Sequence, residues 1–169
     1  MALTKTTLPG ITPTFAVPYD TLQAFCSAQT LTASGYASNL NTQLTMGPGR
    51  FNGVWALDVS NVALGSSNEF YQFWLLGSND AAFANGNIET LAMHDIAATA
   101  ALRTLANICA VSPTIPEGTG RAGTIFVKPW VNQVGEYVFE YMQLYVLMGG
   151  TSPGVTFSSW VSPASMGDC

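Results

Sequence analysis

A period of two in the apolar positions is the clearest pattern along the middle of the chain. Residues 53–60 (GVWALDVS) place their tryptophan, leucine and valine on one face of an extended backbone. Residues 68–76 (NEFYQFWLL) repeat the pattern with a tyrosine, a phenylalanine and a leucine. Such alternation is typical of strands that bury one face. Both segments are therefore predicted strands.

Shorter apolar runs separated by turn-forming residues surround these two strands. Strand and helix patterns do not alternate, so a doubly wound α/β sheet is not expected. Short strands at fairly even spacing favour an all-β fold, a jelly roll or β-sandwich of about eight short antiparallel strands. The further predicted strands are 22–31 (LQAFCSAQTL), 88–93 (IETLAM), 124–130 (TIFVKPW, ended by Pro129), 137–148, and the strand that follows the turn GGTSPG.

Two segments depart from the strand pattern. Residues 1–18 are rich in threonine and proline, which predicts an extended N-terminal arm ahead of a single β domain over 19–169. Residues 95–109 (DIAATAALRTLANIC) have apolar positions at helical spacing, with Asp95 placed to cap the first turn. This segment is predicted to be a short helix or, alternatively, a strand.

Residues 136–161 read as a long strand, a turn and a second strand, which predicts a hairpin. From Tyr141 to Met148 only Gln143 is strongly polar, although a strand lying half in water alternates apolar with polar residues. One face should pack on the opposite sheet. We expect a neighbouring subunit, the arm or the insert around 96–120 to cover the other face.

Charge is unusually sparse. Asp, Glu, Lys and Arg make up 9% of the residues, where about 25% is ordinary. A surface with so few ions predicts contact with other protein chains. The net charge of −5 and the scattered basic residues argue against nucleic acid as a partner. No apolar run reaches the length of a membrane span, and prolines interrupt the segment where a signal peptide needs an apolar run.

Candidate catalytic and ligand-binding patterns are weak. His94 and Asp95 are adjacent and should point to opposite faces of a strand, so a surface or loop histidine is expected. Residues 118–123 (GTGRAG) have the spelling of a dinucleotide-binding loop, but they lead into a strand and are expected to form a turn. Cys26, Cys109 and Cys169 lack metal spacing and are expected to be buried or idle thiols in a reducing cytosol. We expect no enzyme activity, no cofactor and no metal.

Three stretches carry a resemblance to a known family: 19–39 (YDTLQAFCSAQTLTASGYASN), 70–92 (FYQFWLLGSNDAAFANGNIETLA) and 135–161 (GEYVFEYMQLYVLMGGTSPGVTFSSWV). In this order they resemble the jelly-roll cement, or decoration, proteins that coat the capsids of tailed bacteriophages. The arm and the insert around 96–120 depart from the family's pattern. The family offers no catalytic residues to carry over.

The resemblance implies a structural protein of the virion, made and assembled in the host cytoplasm. It would bind the outer capsid surface and bridge neighbouring major capsid protein subunits to stabilise the head. The implied partners are the major capsid protein and further copies of the chain, as a dimer or trimer. Two alternatives are a carbohydrate-binding jelly roll on the virion surface and a tail or head–tail connector component. The predicted contact residues are Phe15, Val17, Tyr19, Met46, Arg50 and Trp130.

Overall fold

A computed structural model describes residues 21–63, 65–66, 68–84, 88–97 and 125–163. Within them the chain is all-β, as predicted, apart from one 3-10 turn, η1 (Thr21–Gln23). The predicted arm lies outside the described residues. The strands are β1 (Ala24–Leu31), β2 (Gly35–Tyr36), β3 (Leu44–Thr45), β4 (Asn52–Val62), β5 (Phe70–Ser78), β6 (Ile88–Ala97), β7 (Ile125–Val131), β8 (Gln133–Val134), β9 (Tyr137–Val138), β10 (Tyr141–Gly149) and β11 (Val155–Pro163).

The strands form two antiparallel sheets packed face to face. Sheet A has the order β1-β11-β4-β7. In sheet B, β2 and β3 both pair with β10, and β5 and β6 follow. Strands from the first and second halves of the chain alternate in each sheet, and β2 with β3 acts as one broken strand. This arrangement is a jelly roll of eight main strands, to which the small β8–β9 hairpin is added.

The predicted alternation places the large apolar side chains between the sheets. Rings from the two sheets meet where Phe73 and Phe157 lie 5.1 Å apart, edge to face. Burying a side chain of this size stabilises the fold by about 1.5–3 kcal/mol. The inner residues include Trp55, Leu57, Val59, Phe157 and Val161 from sheet A and Tyr71, Phe73, Leu75, Met142, Leu144 and Val146 from sheet B.

The predicted hairpin over 136–161 is wrong. Strand β10 belongs to sheet B and β11 to sheet A, so the intervening turn crosses from one sheet to the other. Each strand has one apolar face, and the crossing lets both faces line the same core. Gly150 makes the turn possible: its φ is +118°, and a Cβ there would lie 2.7 Å from the Cα of Glu69. The long strand predicted over 137–148 is also divided, into β9 and β10.

Two predicted element ends are also wrong. Strand β6 continues to Ala97, with Asp95 paired to Gln72 of β5, so Asp95 does not cap a helix. Cross-strand pairing there overrides the helical spacing; residues 98–109 lie outside the described part of the chain. Pro129 does not end β7, which continues to Val131. The strand is at the edge of sheet A, where a missing backbone N–H is tolerated.

Side chains cover the backbone at the sheet edges. Along the irregular β1, the Asn39 amide both accepts from Ser27 N at 3.0 Å and donates to Ser27 O at 2.7 Å. At the opposite side of the sandwich, Lys128 Nζ of β7 donates to the backbone oxygen of Met93 in β6. Polar and charged caps of this kind block pairing with a strand of another chain. The faces of the sheets are therefore better suited to association than these edges.

Candidate functional site

Three of the six predicted contact residues, Phe15, Val17 and Tyr19, lie outside the described residues. The other three, Met46, Arg50 and Trp130, differ in how far they are buried.

Met46 is half-buried against the core and its backbone N donates to Glu140 O at 2.7 Å. Arg50 is exposed in the loop before β4. Trp130 is only 6% exposed and belongs to the core, so little of it is open to a partner. The prediction that these residues contact the capsid remains a prediction.

A buried asparagine fixes the loop that carries Arg50. Asn132 Oδ1 accepts from Phe51 N at 2.6 Å, and Asn132 Nδ2 donates to Gly49 O and Phe139 O, both at 2.9 Å. These bonds satisfy an amide that is fully buried, which is what makes its burial tolerable. The loop before β4, the end of β7 and the segment before β10 are thereby held at one end of the sandwich.

The β8–β9 hairpin projects from the same end. Its turn is Gly135-Glu136, with Gly135 at φ +60°, as the first position of a type II′ turn requires. Val134 pairs with Tyr137 across the hairpin, and both are exposed, Tyr137 by 72%. The order valine, glycine, glutamate, tyrosine is a sequence signal for this hairpin, and it was not among the predicted elements.

A cavity of about 340 Å³ lies beside the hairpin. It is lined by Asn79, Glu89, Val134, Tyr137 and Phe139. None of these residues was predicted as a site, because strands distant in sequence bring them together.

The Asn79 side chain forms part of the cavity wall. Its Nδ2 donates to Val138 O at 2.8 Å, and its Oδ1 accepts from Glu140 N at 2.9 Å. These two bonds attach the end of β5 to the segment between β9 and β10. Asn79 is therefore held in place by the fold.

The outer face of sheet B is the second candidate surface. A row of large side chains crosses it from β2 to β6, because Tyr36, Tyr145, Trp74 and Met93 are successive cross-strand partners. The rings of Tyr36 and Tyr145 lie 4.9 Å apart, and Tyr36 is 44% exposed. The face includes Tyr36, Thr45, Phe70, Gln72, Trp74, Leu76, Thr90, Met93, Asp95, Tyr141, Gln143, Tyr145 and Leu147.

The two sides of β10 are buried to different extents. The inner side chains of β10 are buried, as predicted, and the outer ones are half-buried. Trp74 Nε1 is buried and has no hydrogen-bond acceptor among the described residues. Aromatic and methionine side chains of this kind are enriched at protein interfaces.

The expectation of a surface or loop histidine at position 94 is wrong. His94 is 4% exposed, and its ring lies 4.6 Å from that of Trp55. Pairing with Phe73 turns the His94 side chain inward. Burial, with a smaller effect of the Lys128 charge, lowers the His94 pKa to about 4, so the ring is neutral at pH 7. Asp95 lies on the opposite face of β6, as predicted.

Two other buried ionisable groups have structural surroundings. Burial raises the pKa of the Cys26 thiol to about 12, against a smaller effect of a backbone hydrogen bond, so the thiol stays protonated. Desolvation of the Glu69 carboxyl raises its pKa. Hydrogen bonds from its own backbone, from Ser66 and from Ser152 outweigh that effect and hold the pKa below its usual value. Glu69 thereby links the β4–β5 and β10–β11 connections.

The described residues contain no group of three or more His, Cys, Asp or Glu side chains placed to hold a metal ion. In the same part of the chain, no helix is long and apolar enough to cross a membrane.

Comparison with known proteins gave no relative. No family model matches the chain, and neither the curated proteins nor the solved structures include a match.

Proposed function

We propose that the chain is a structural, non-enzymatic protein of a virus particle, a capsid cement protein that binds the outer capsid surface. It would bridge neighbouring subunits of the major capsid protein and act as a homo-oligomer. The three stretches that resemble the cement proteins of tailed bacteriophages support this proposal. The jelly roll is the fold which that resemblance implied, and it agrees with the proposal.

The observation that carries the proposal is the outer face of sheet B. Four large side chains, Tyr36, Tyr145, Trp74 and Met93, form one row across its strands, and Asp95 is the charged residue of the face. A standard protein contact buries about 800 Å² on each partner. Its three long strands, β5, β6 and β10, have nine or ten residues each and lie about 4.8 Å apart, so together with the short β2 and β3 this face would supply more than half of such a contact.

The protein would stabilise the capsid through several contacts made at the same time. A protein that touches two or three capsid subunits at once holds them together, because loosening one contact leaves the others engaged. The sparse charge favours this use, since few ions have to lose their hydration when a partner covers the surface. The acidic balance of the chain is consistent with a position outside the shell, away from packaged phosphates.

The test is reconstitution on capsids that lack the protein. We expect the wild type to bind them and to raise the temperature at which they rupture. Tyr145→Lys should weaken binding at least tenfold, because it places a charge in the centre of the apolar row. Ser158→Lys is the matched control on the outer face of sheet A and should bind like the wild type.

Binding of the wild type without any rise in rupture temperature would contradict cementing. Equal binding by Tyr145→Lys and the wild type would contradict the assignment of the face. Counting copies per particle separates the proposal from a head–tail connector, because a connector is present in a single ring of few copies.

A further inference from the structure

The cavity beside the β8–β9 hairpin combines an aromatic ring, apolar walls and a carboxylate. Tyr137 is 72% exposed although its side chain lines the cavity. Val134 and Phe139 supply apolar walls, and Glu89 supplies the charge. The volume of about 340 Å³ is at the lower end of the range of about 300–1,000 Å³ for small-ligand sites. The cavity therefore fits one long side chain or one sugar ring and is too small for a folded segment.

One carboxylate lines the cavity and two more adjoin its lining residues in sequence, while Arg50 is carried by the loop held at the same end of the sandwich. Glu89 lies in its wall, Glu136 precedes Tyr137, and Glu140 follows Phe139. An acidic rim attracts a cation and repels an anion.

The polar groups of the wall distinguish between a cation and a sugar. Asn79 already uses its amide nitrogen on Val138 O and its amide oxygen on Glu140 N. Glu89 and the Tyr137 hydroxyl are the wall groups with most hydrogen-bonding capacity still to offer, and Glu89 is the charged one. A sugar could use both groups but would leave the carboxylate charge without a counter-charge. A guanidinium group needs a carboxylate and a ring face, and both are present.

We infer that this cavity receives an arginine side chain of a protein partner. The guanidinium group would stack on the Tyr137 ring and pair with the Glu89 carboxylate. The aliphatic part of the side chain would lie against Val134 and Phe139. The inference rests on the proposed function for the identity of the partner, a major capsid protein subunit, and it deepens that proposal by naming the chemistry of one contact.

The first experiment measures the cavity alone. The full chain is titrated with N-acetyl-arginine amide and, separately, with its neutral analogue N-acetyl-citrulline amide, while backbone amide signals are followed by NMR. We expect arginine to shift the signals of Glu89, Val134 and Tyr137 and citrulline to bind at least fivefold more weakly. A methyl glycoside titrated in the same way tests the sugar alternative.

Variants identify the groups that bind. Glu89→Gln should weaken arginine binding at least fivefold, and Tyr137→Leu should weaken it about threefold while keeping apolar bulk. Both side chains are exposed, so the fold should survive. Asp58→Asn removes one negative charge on the outer face of sheet A and should bind arginine like the wild type. Equal shifts with arginine and citrulline, or saturable binding of the glycoside alone, would overturn the inference.

The second experiment uses capsids and separates the two proposals. If the wild type binds capsids and Glu89→Gln binds at least fivefold more weakly, both proposals are supported. If Glu89→Gln binds capsids as tightly as the wild type, the inference is wrong and the proposed function stands. If arginine binds the cavity but the wild type binds no capsid, the proposed function is wrong and the cavity belongs to another partner.

Discussion

The outer faces of the two sheets use different side chains to meet their surroundings. On sheet A, Ser158 Oγ accepts from Ala28 N at 2.9 Å, and the hydroxyls of Thr30 and Thr156 lie 2.9 Å apart. On sheet B, the outer face carries rings and aliphatic chains, and Trp74 Nε1 has no acceptor among the described residues. Polar groups that are already paired gain little from a partner. Half-buried apolar groups gain by being covered.

The two outer faces therefore differ in composition although both carry few charges. On sheet A, hydroxyl groups pair with one another and with the backbone, but the same face also carries Asp58 and the exposed Ile125 and Val127 of β7. On sheet B the same scarcity leaves a row of large apolar side chains half-buried. Under the proposed function, we expect the partner to cover this row.

The largest difference in the free energy of unfolding should come from replacing the tryptophan on each outer face by alanine. Trp160, on the outer face of sheet A, is 5% exposed and packs with Ala24 and Ala56, whereas Trp74 on sheet B is half-buried. We expect Trp160→Ala to lower the free energy of unfolding of the isolated chain by about 3–5 kcal/mol. Trp74→Ala should cost less than half as much, measured by urea denaturation. Equal costs would mean that the two faces are equally covered within one chain.

Two leucines of β10 allow the inner and outer faces of sheet B to be compared. Leu144 is fully buried between the sheets and Leu147 is half-buried on the outer face. Leu144→Ala should cost about 2–5 kcal/mol through lost burial and a residual cavity. Leu147→Ala should cost less than about 1 kcal/mol in the isolated chain, and its larger effect should be on capsid binding. A reversal of the two stabilities in urea denaturation would contradict the assignment of inner and outer faces.

Acid should lower the free energy of unfolding through His94, which lies on the inner side of sheet B. The unfolded chain takes up a proton at His94 near pH 6.5, but the folded chain does so only near pH 4. The stability linked to neutral His94 is therefore fully present above about pH 6.5. It should fall by about 3 kcal/mol as the pH drops to about 4. His94→Gln should lose this part of the pH dependence, measured by urea denaturation at each pH; an unchanged profile would show that His94 is not its source.

The smallest effect should come from removing one hydroxyl on each outer face. Ser158→Ala should cost about 1 kcal/mol because Ala28 N loses its acceptor. Tyr145→Phe should change the free energy of unfolding by less than about 0.5 kcal/mol, since its ring packing against Tyr36 remains. Thermal unfolding of both variants provides the measurement. A larger loss for Tyr145→Phe would reveal a polar bond on the outer face of sheet B and weaken the comparison.

Local patterns predicted the strands well where one face is buried. The alternation in 53–60 and 68–76 identified the inner residues of β4 and β5, because a period of two directly reflects burial of one face. The separation of β10 and β11 into different sheets could not be predicted, since a turn with glycines and a proline serves a hairpin and a crossing equally well. The inward His94 depended on its register with β5, which the sequence of β6 does not contain.

The candidate site was predicted less well than the fold. Of the described residues chosen from sequence, Arg50 is exposed, Met46 is half-buried and Trp130 is in the core. Trp130 was expected to follow a strand that ends at Pro129. It lies within β7 instead, and its side chain belongs to the core. The cavity beside Tyr137 combines residues from β5, β6 and the β8–β9 hairpin, and their proximity is a property of topology alone.

The position of β11 has a consequence for how the chain acquires its structure. Strand β11 lies between β1 and β4, and Ala24 pairs with Trp160. A nascent chain thus lacks the strand that joins β1 to β4 in sheet A until nearly all of the described residues have left the ribosome. We expect folding to wait until synthesis of these strands is complete and then to proceed slowly, because pairing between distant segments carries a large entropic barrier.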